Sequence, residues 1–348
     1  MVEIKAREKF NRRHMVDIPR IKFFAQHRYR ANSPILDGHE LIAMPASGVI
    51  VLDKPADMSS ARAVAKVKKL LGAKKVGHTG TLDPFATGVL ICCINQATRL
   101  ARFFLQGDKT YQAVLGLGVE TDTQDITGRV TATTTVPDIA PDHLAEIIKR
   151  FEGRQLQLPP VYAALKHEGT PIYKLARQGR PIQKPARPIT VTAIRVTAVD
   201  LPDIGLEVTC SSGTYVRALC ADIGRALGCG GHLKQLRRTV NSSFDIGQAV
   251  TLDDLARMID DPDRNAVLIP MGTALEFMPT FVAGPDTLQR VVQGQILTSA
   301  HIHRDRIREP VVRGQGDYVK VVDAAMNLKA VLKVRPDDMG YDYCCVFN

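Results

Sequence analysis

The chain has 348 residues, 45% of them apolar and 24% charged, a balance that belongs to ordinary globular proteins and excludes a disordered or fibrous chain. Its 46 Lys and Arg against 36 Asp and Glu leave a net charge of +10, which suits a polyanionic partner and equally serves solubility. Seven cysteines with no CxxC pair argue against a disulfide framework and for a reducing cytoplasm. No apolar run reaches the ~18 residues of a membrane span, and the N-terminus has no secretory h-region.

Residues 1–46 carry Lys5, Arg7, Lys9, Arg12, Arg13, Arg20, Lys22, Arg28 and Arg30 without a regular apolar period. They read as a basic arm, either touching nucleic acid or serving as a passive extension. From Gly48 the texture changes. Val49-Ile50-Val51-Leu52 reads as a buried strand, and Ser59-Ser60 offer N-caps for a helix from about Ala61 to Leu71. Val64, Val67 and Leu71 give that helix an apolar face, while Arg62, Lys66 and Lys69 form a second stripe that faces phosphates or water. Tyr111 to Val119, Ile189 to Val199 and Leu206 to Cys210 read as strands. Leu144, Ile147, Ile148 and Phe151 have helical spacing up to Gly153, and Val216 to Leu227 is a helix stopped by Gly228. The mixture is α+β, without a βαβ rhythm or a dinucleotide turn. After Pro270, short strands at Ile296-Leu297, Tyr318 to Val322 and Lys329 to Val334 suggest a small β-rich domain.

The densest unusual segment is Gly77 to Leu90, where glycines surround His78 and Asp83. Glycine permits positive φ and close approach of a partner, so the segment reads as a constrained loop presenting a carboxylate and an imidazole. Pro84 confines Asp83 to extended backbone, which fits two readings equally: a working carboxylate, or an N-cap with proline at N1. No metal-ligand spacing lies nearby, His301 and His303 lack a third ligand, and no metal is expected. A GxSxG elbow is also missing. In Ser211 to Arg217 a Gly turn, Tyr215 and Arg217 meet at a strand-to-helix junction. There Arg217 can hold a carboxylate and Tyr215 can stack on a base, or both serve the fold.

Taken in order, Gly48 to Lys54-Pro55 with Ser59-Ser60, Gly77 to Leu90, Lys109-Thr-Tyr111, Asp122-Thr-Gln-Asp125, Pro159 to Lys166, Arg187-Pro-Ile, Gly213 to Arg217 and Leu236-Arg-Arg238 resemble the bacterial tRNA pseudouridine-55 synthase (TruB) family. The likeness runs from Gly48 through Arg238 and weakens beyond. It implies a pseudouridine-synthase catalytic domain over 47–275, with a mixed, mainly antiparallel sheet and flanking helices, and a small β-rich PUA-like RNA-binding domain over 276–348. It further implies that uridine at position 55 in the TΨC loop of tRNA is detached from its ribose, rotated and rejoined through C5, with no cofactor.

By the same resemblance Asp83 is the catalytic carboxylate, attacking C1′ or C6 or acting as a base at the sugar. Tyr111 stacks on the flipped base and assists late proton removal, and Arg217 pairs with Asp83 and keeps it ionised. Tyr215 and Leu236 contact the base, while His78 fills the space that the extruded base leaves. Lys54, Lys66, Lys166 and Arg238 are possible RNA contacts, and 125–151 is the RNA-clasping insertion. The implied partner is tRNA through its T arm, with no membrane and no obligatory protein partner, and the implied state is a cytoplasmic monomer. Two features depart from the pattern: Asp57 stands where the family usually has Gly, and the arm before Gly48 is longer. Two rivals differ in class: a guide-RNA-dependent H/ACA-type synthase, which the segment Ile172 to Gly179 and the insertion disfavour, and a non-catalytic tRNA-binding or folding module.

Overall fold

The computed structural model describes residues 46–259, 267–303, 306–310, 317–336 and 340–347, so the basic arm up to residue 45 lies outside the described residues. β1 (Gly48–Lys54) is followed by α1 (Ser60–Leu71), β2 (Val76–Thr79) and β3 (Thr87–Ile94). β1 and β3 pair antiparallel, and both are apolar on both faces. Val49, Val51, Val89, Ile91 and Cys93 enter one core, while Ile50, Leu52, Leu90, Cys92 and Ile94 enter another. A strand covered on both faces loses the polar alternation of a half-exposed one, hence the continuous apolar runs in the sequence. Ser59 caps α1 by accepting the Arg62 N–H, and Gly72 at φ 60° closes it. Ala63 and Val67 bury the inner face of α1, leaving Arg62, Lys66 and Lys69 exposed.

Next come α2 (Ala101–Leu105), β4 (Lys109–Leu117), the hairpin β5 (Val119–Thr121) with β6 (Val130–Thr133), α3 (Pro141–Arg150) and β7 (Gly153–Gln157). β8 (Lys166–His167), β9 (Thr170–Pro171) and α4 (Ile172–Arg177) precede the long strands β10 (Arg187–Asp200) and β11 (Asp203–Cys210), then α5 (Val216–Ala226) and β12 (Gly231–Asn241). β13 (Phe244–Asp245), α6 (Leu252–Ile259), β14 (Ile269–Pro270) and α7 (Met271–Ala274) close this part. The main sheet runs β14-β1-β3-β12-β4-β11-β10-β7, with β2 on β3 and β13 on β12. Every pairing in it is antiparallel except β3 with β12, which run parallel over Thr87↔Arg237 and Gly88↔Arg238. This is the mixed, mainly antiparallel sheet with flanking helices that the sequence led us to expect.

The parallel seam is tight. Gly88 has φ 101°, and a Cβ there would stand 2.2 Å from the Arg238 carbonyl oxygen, so only glycine lets the two strands meet.

Within the segment 125–151, expected to be the clasp, β6 is exposed whereas α3 packs into the body. Leu144, Ile147 and Ile148 on α3 are buried with Leu219, Ile223 and the sheet residues Val191 and Val208. An amphipathic helix with that many buried side chains is part of the core. The chain instead leaves the sheet over 158–186, between the paired strands β7 and β10, where β8 and β9 form a two-stranded sheet of their own ahead of α4.

The remaining elements are β15 (Thr280–Val282), α8 (Pro285–Val292), β16 (Leu297–Thr298), β17 (Ile307–Arg308), β18 (Tyr318–Val322), β19 (Leu328–Val334) and β20 (Gly340–Val346). Their strands make one curled sheet, β16-β20-β19-β18-β15-β17, around Phe281, Val291, Leu297, Val321 and Leu332. This is the β-rich PUA-like part. It shares a core with the larger sheet, since Phe103, Phe104, Val322, Val331 and Phe347 pack together. Arg102 donates to the Cys344 carbonyl at 2.6 Å, and Arg99 covers the Phe347 ring at 5.1 Å.

Candidate active site at the parallel seam

Asp83 lies on the loop between β2 and β3, directly above the seam. No helix follows it, so the N-cap reading falls; the Asp83 carbonyl instead accepts the Ala86 N–H in a tight turn. The loop is held on both sides of the aspartate. Ser60, 1% exposed, donates its hydroxyl to the Leu82 carbonyl at 3.0 Å and accepts the Leu82 N–H at 2.9 Å. Lys54 donates to the carbonyls of Pro55, Met58 and Pro84 at 2.7, 2.7 and 3.1 Å. Arg238 donates to the Gly80 carbonyl at 2.8 Å and the Val89 carbonyl at 2.7 Å.

Two expected RNA contacts are thereby corrected. Lys54 and Arg238 are 0% and 1% exposed, their donors turned inward onto backbone carbonyls, because a loop without secondary structure needs side chains to satisfy its polar groups. Burial lowers the Lys54 pKa to about 8. The other two, Lys66 on α1 and Lys166 on β8, are exposed.

Arg217, at the second position of α5, reaches the loop with Nε 2.8 Å from Asp83 Oδ2. Its guanidinium also donates to the Thr123 carbonyl at 2.9 Å and the Tyr162 carbonyl at 3.4 Å. The expected ion pair is present, yet Asp83 is not simply held ionised. Burial raises its pKa, Arg217 pulls it down, and a second carboxylate, Asp125, raises it again.

Asp125 is the residue whose role the sequence reading missed. It is 4% exposed, lies 3.6 Å from Arg217, and accepts bonds from Thr123 and Thr127. Its signals in the sequence were the Asp122-Thr-Gln-Asp125 motif and the alternation of Thr123, Asp125 and Thr127.

Tyr111 on β4 pairs in register with Arg238 on β12 and shares the core with Leu82, Val216 and Leu236. Burial raises its phenol pKa, Arg238 opposes that through charge and a hydrogen bond, and Asp83 is near enough to add to the rise. Tyr215, half-buried, sits just before α5 with the Arg187 guanidinium 4.8 Å from its ring centre. Leu236 is buried beside them. His78 lies on β2 rather than in the loop, opposite Cys92. It is half-buried, and burial with the nearby Arg238 charge lowers its pKa. Two aspartates thus share one arginine, with Tyr215 beside it and Tyr111 and Leu236 buried together in the adjoining core.

The protein chain in a solved H/ACA RNP bound to a substrate RNA containing 2′-deoxyuridine is 27% identical, with TM-score 0.66 over 86% of this chain and 85% of that one. One in a Cbf5-Nop10-Gar1 complex is 28% identical, with TM-score 0.67 over 86% and 84%. Fold and site together define a pseudouridine synthase. The model of the TruB pseudouridylate synthase N-terminal domain matches residues 68–216, and that of the tRNA pseudouridylate synthase B C-terminal domain matches 217–276. The tRNA pseudouridine synthase B of Syntrophotalea carbinolica is 43% identical over 87% of this chain and 98% of its own length. That of Burkholderia lata is 42% identical over 82% and 86%. The chain belongs to the TruB family of tRNA pseudouridine synthases.

Proposed function

We propose that the protein isomerises the uridine at position 55 in the T arm of tRNA, with Asp83 as the working carboxylate. The Asp83–Arg217 pair carries the reading, because a carboxylate that burial would neutralise stays usable only beside such a cation. The N1–C1′ bond breaks, the base turns, a C1′–C5 bond forms, C5 loses its proton and N1 gains one. The sum is an isomer, so no redox partner or second substrate enters. Tyr111 and Tyr215 hold the flipped base against Leu236. Tyr111, steadied by Arg238, stands at the late proton removal, and His78 takes up the space left in the RNA.

The clasp is the excursion over 158–186. It carries Lys166, Lys174, Arg177, Arg180 and Lys184 against Glu168 alone, and with Lys66 on α1 it supplies phosphate contacts. The excursion, with the higher identity to the tRNA enzymes than to the H/ACA chains, favours a synthase that works without guide RNA or partner proteins. Seven free cysteines, six of them buried, suit the reducing cytoplasm.

Unmodified tRNA transcript incubated with protein, then mapped by carbodiimide primer extension, tests this. Asp83→Asn should bind tRNA and yield no pseudouridine. Product from that variant would overturn the assignment, and a need for guide RNA would favour the H/ACA type.

A further inference from the structure

We infer that Gln157 and Arg187 are positioning residues that tie the excursion to the base pocket through Tyr215. The two lie opposite each other where the chain leaves β7 and re-enters β10, so they are the roots of the 158–186 segment. Both grip one loop. The Gln157 side chain, 4% exposed, accepts the Tyr215 N–H at 2.8 Å and donates to the Tyr215 carbonyl at 3.0 Å. Arg187 donates to the Gly213 carbonyl and lies over the Tyr215 ring. A third link runs from inside the excursion, where the Tyr162 carbonyl meets Arg217.

The ladder between β7 and β10 spans Gln157 to Gly153 and needs no help from the Gln157 side chain. That side chain spends both its hydrogen-bonding groups on the residue just before α5, two positions ahead of the arginine held against Asp83. RNA that draws the excursion into place therefore also sets the Tyr215 ring and the Arg217 fork. Capture and assembly of the pocket become one event.

This inference rests on the reading of Tyr215 as a base contact, and the experiment separates the two. Single-turnover rates at saturating enzyme, RNA Kd and Tm are measured for wild type, Gln157→Met, Gln157→Glu and Arg187→Lys on a T-arm transcript. Gln157→Met should turn over about 10²-fold more slowly at unchanged Kd, the size expected of a small misplacement of the reacting groups. In Gln157→Glu, a neutral carboxyl at that position reproduces both bonds, whereas the ionised form cannot donate to the Tyr215 carbonyl. The rate of Gln157→Glu relative to wild type should therefore rise as pH is lowered. Arg187→Lys, which keeps the charge and loses the flat stack, should fall between wild type and Gln157→Met, and it serves as the second handle if Gln157→Met folds poorly. Wild-type rates in Gln157→Met and Arg187→Lys, a loss confined to Kd, or a pH-independent Gln157→Glu ratio would each overturn the coupling. No pseudouridine from the wild type would overturn the functional reading beneath it.

Discussion

Asp83 is caught between burial, which favours its neutral form, and Arg217, which favours its charge. Work as a nucleophile or base needs the ionised form, so activity should rise with pH through a value above the ordinary aspartate range. Arg217→Met removes the largest opposing influence and should move that limb to higher pH, read from single-turnover rates across pH. The stability sign follows from the same shift: a folded-state pKa above the unfolded one contributes fully below the unfolded value and is lost as pH rises through the folded one. The Tm of Asp83→Asn relative to wild type should accordingly climb as pH is raised from acid toward neutral.

At Asp57 the backbone has φ 58°, a left-handed geometry that glycine adopts freely and that aspartate tolerates. Asp57→Gly should be near neutral, whereas Asp57→Val should cost about 1–2 kcal/mol by denaturant titration.

Among elements, the β3–β12 seam decides where the chemistry sits. Gly88→Ala would drive a methyl group into the Arg238 backbone and spread the two strands. It should lower Tm and abolish turnover together, because Arg238 also holds the loop at Gly80 and reaches Tyr111. The excursion is separable by contrast. β7 and β10 are already antiparallel neighbours, so replacing residues 160–185 by a short Gly-Ser turn leaves a hairpin. That variant should keep the wild-type far-ultraviolet dichroism and lose most tRNA affinity in filter binding; unchanged affinity would remove the clasp assignment.

For the whole molecule, the +10 charge and the basic arm predict strongly salt-dependent RNA binding. Deleting residues 1–45 should weaken binding modestly and make the plot of log K against log salt shallower. An unchanged slope would mark the arm as passive. The curled C-terminal sheet is joined to the catalytic sheet by a shared core around Phe103, Phe104 and Phe347, so the two should unfold in one transition.

Local patterns were enough for the strands of β1, β4, β10 and β11, the capped helix α1 and the amphipathic α3 and α5, because periodicity and capping act between near neighbours in the chain. The ordered motifs likewise carried the family and singled out Asp83. Three things depended on the folded chain. Lys54 and Arg238 look like any basic residues until burial turns their donors onto a loop far away in sequence. Asp125 gains its role only because α5 brings Arg217 between it and Asp83. The proposed clasp falls at 158–186 rather than 125–151 because the apolar face of α3 finds a core to enter, while the excursion leaves from two strands that pair behind it. Partners distant in sequence leave no local signature, and long-range packing alone decides which charges face water and which hold the site.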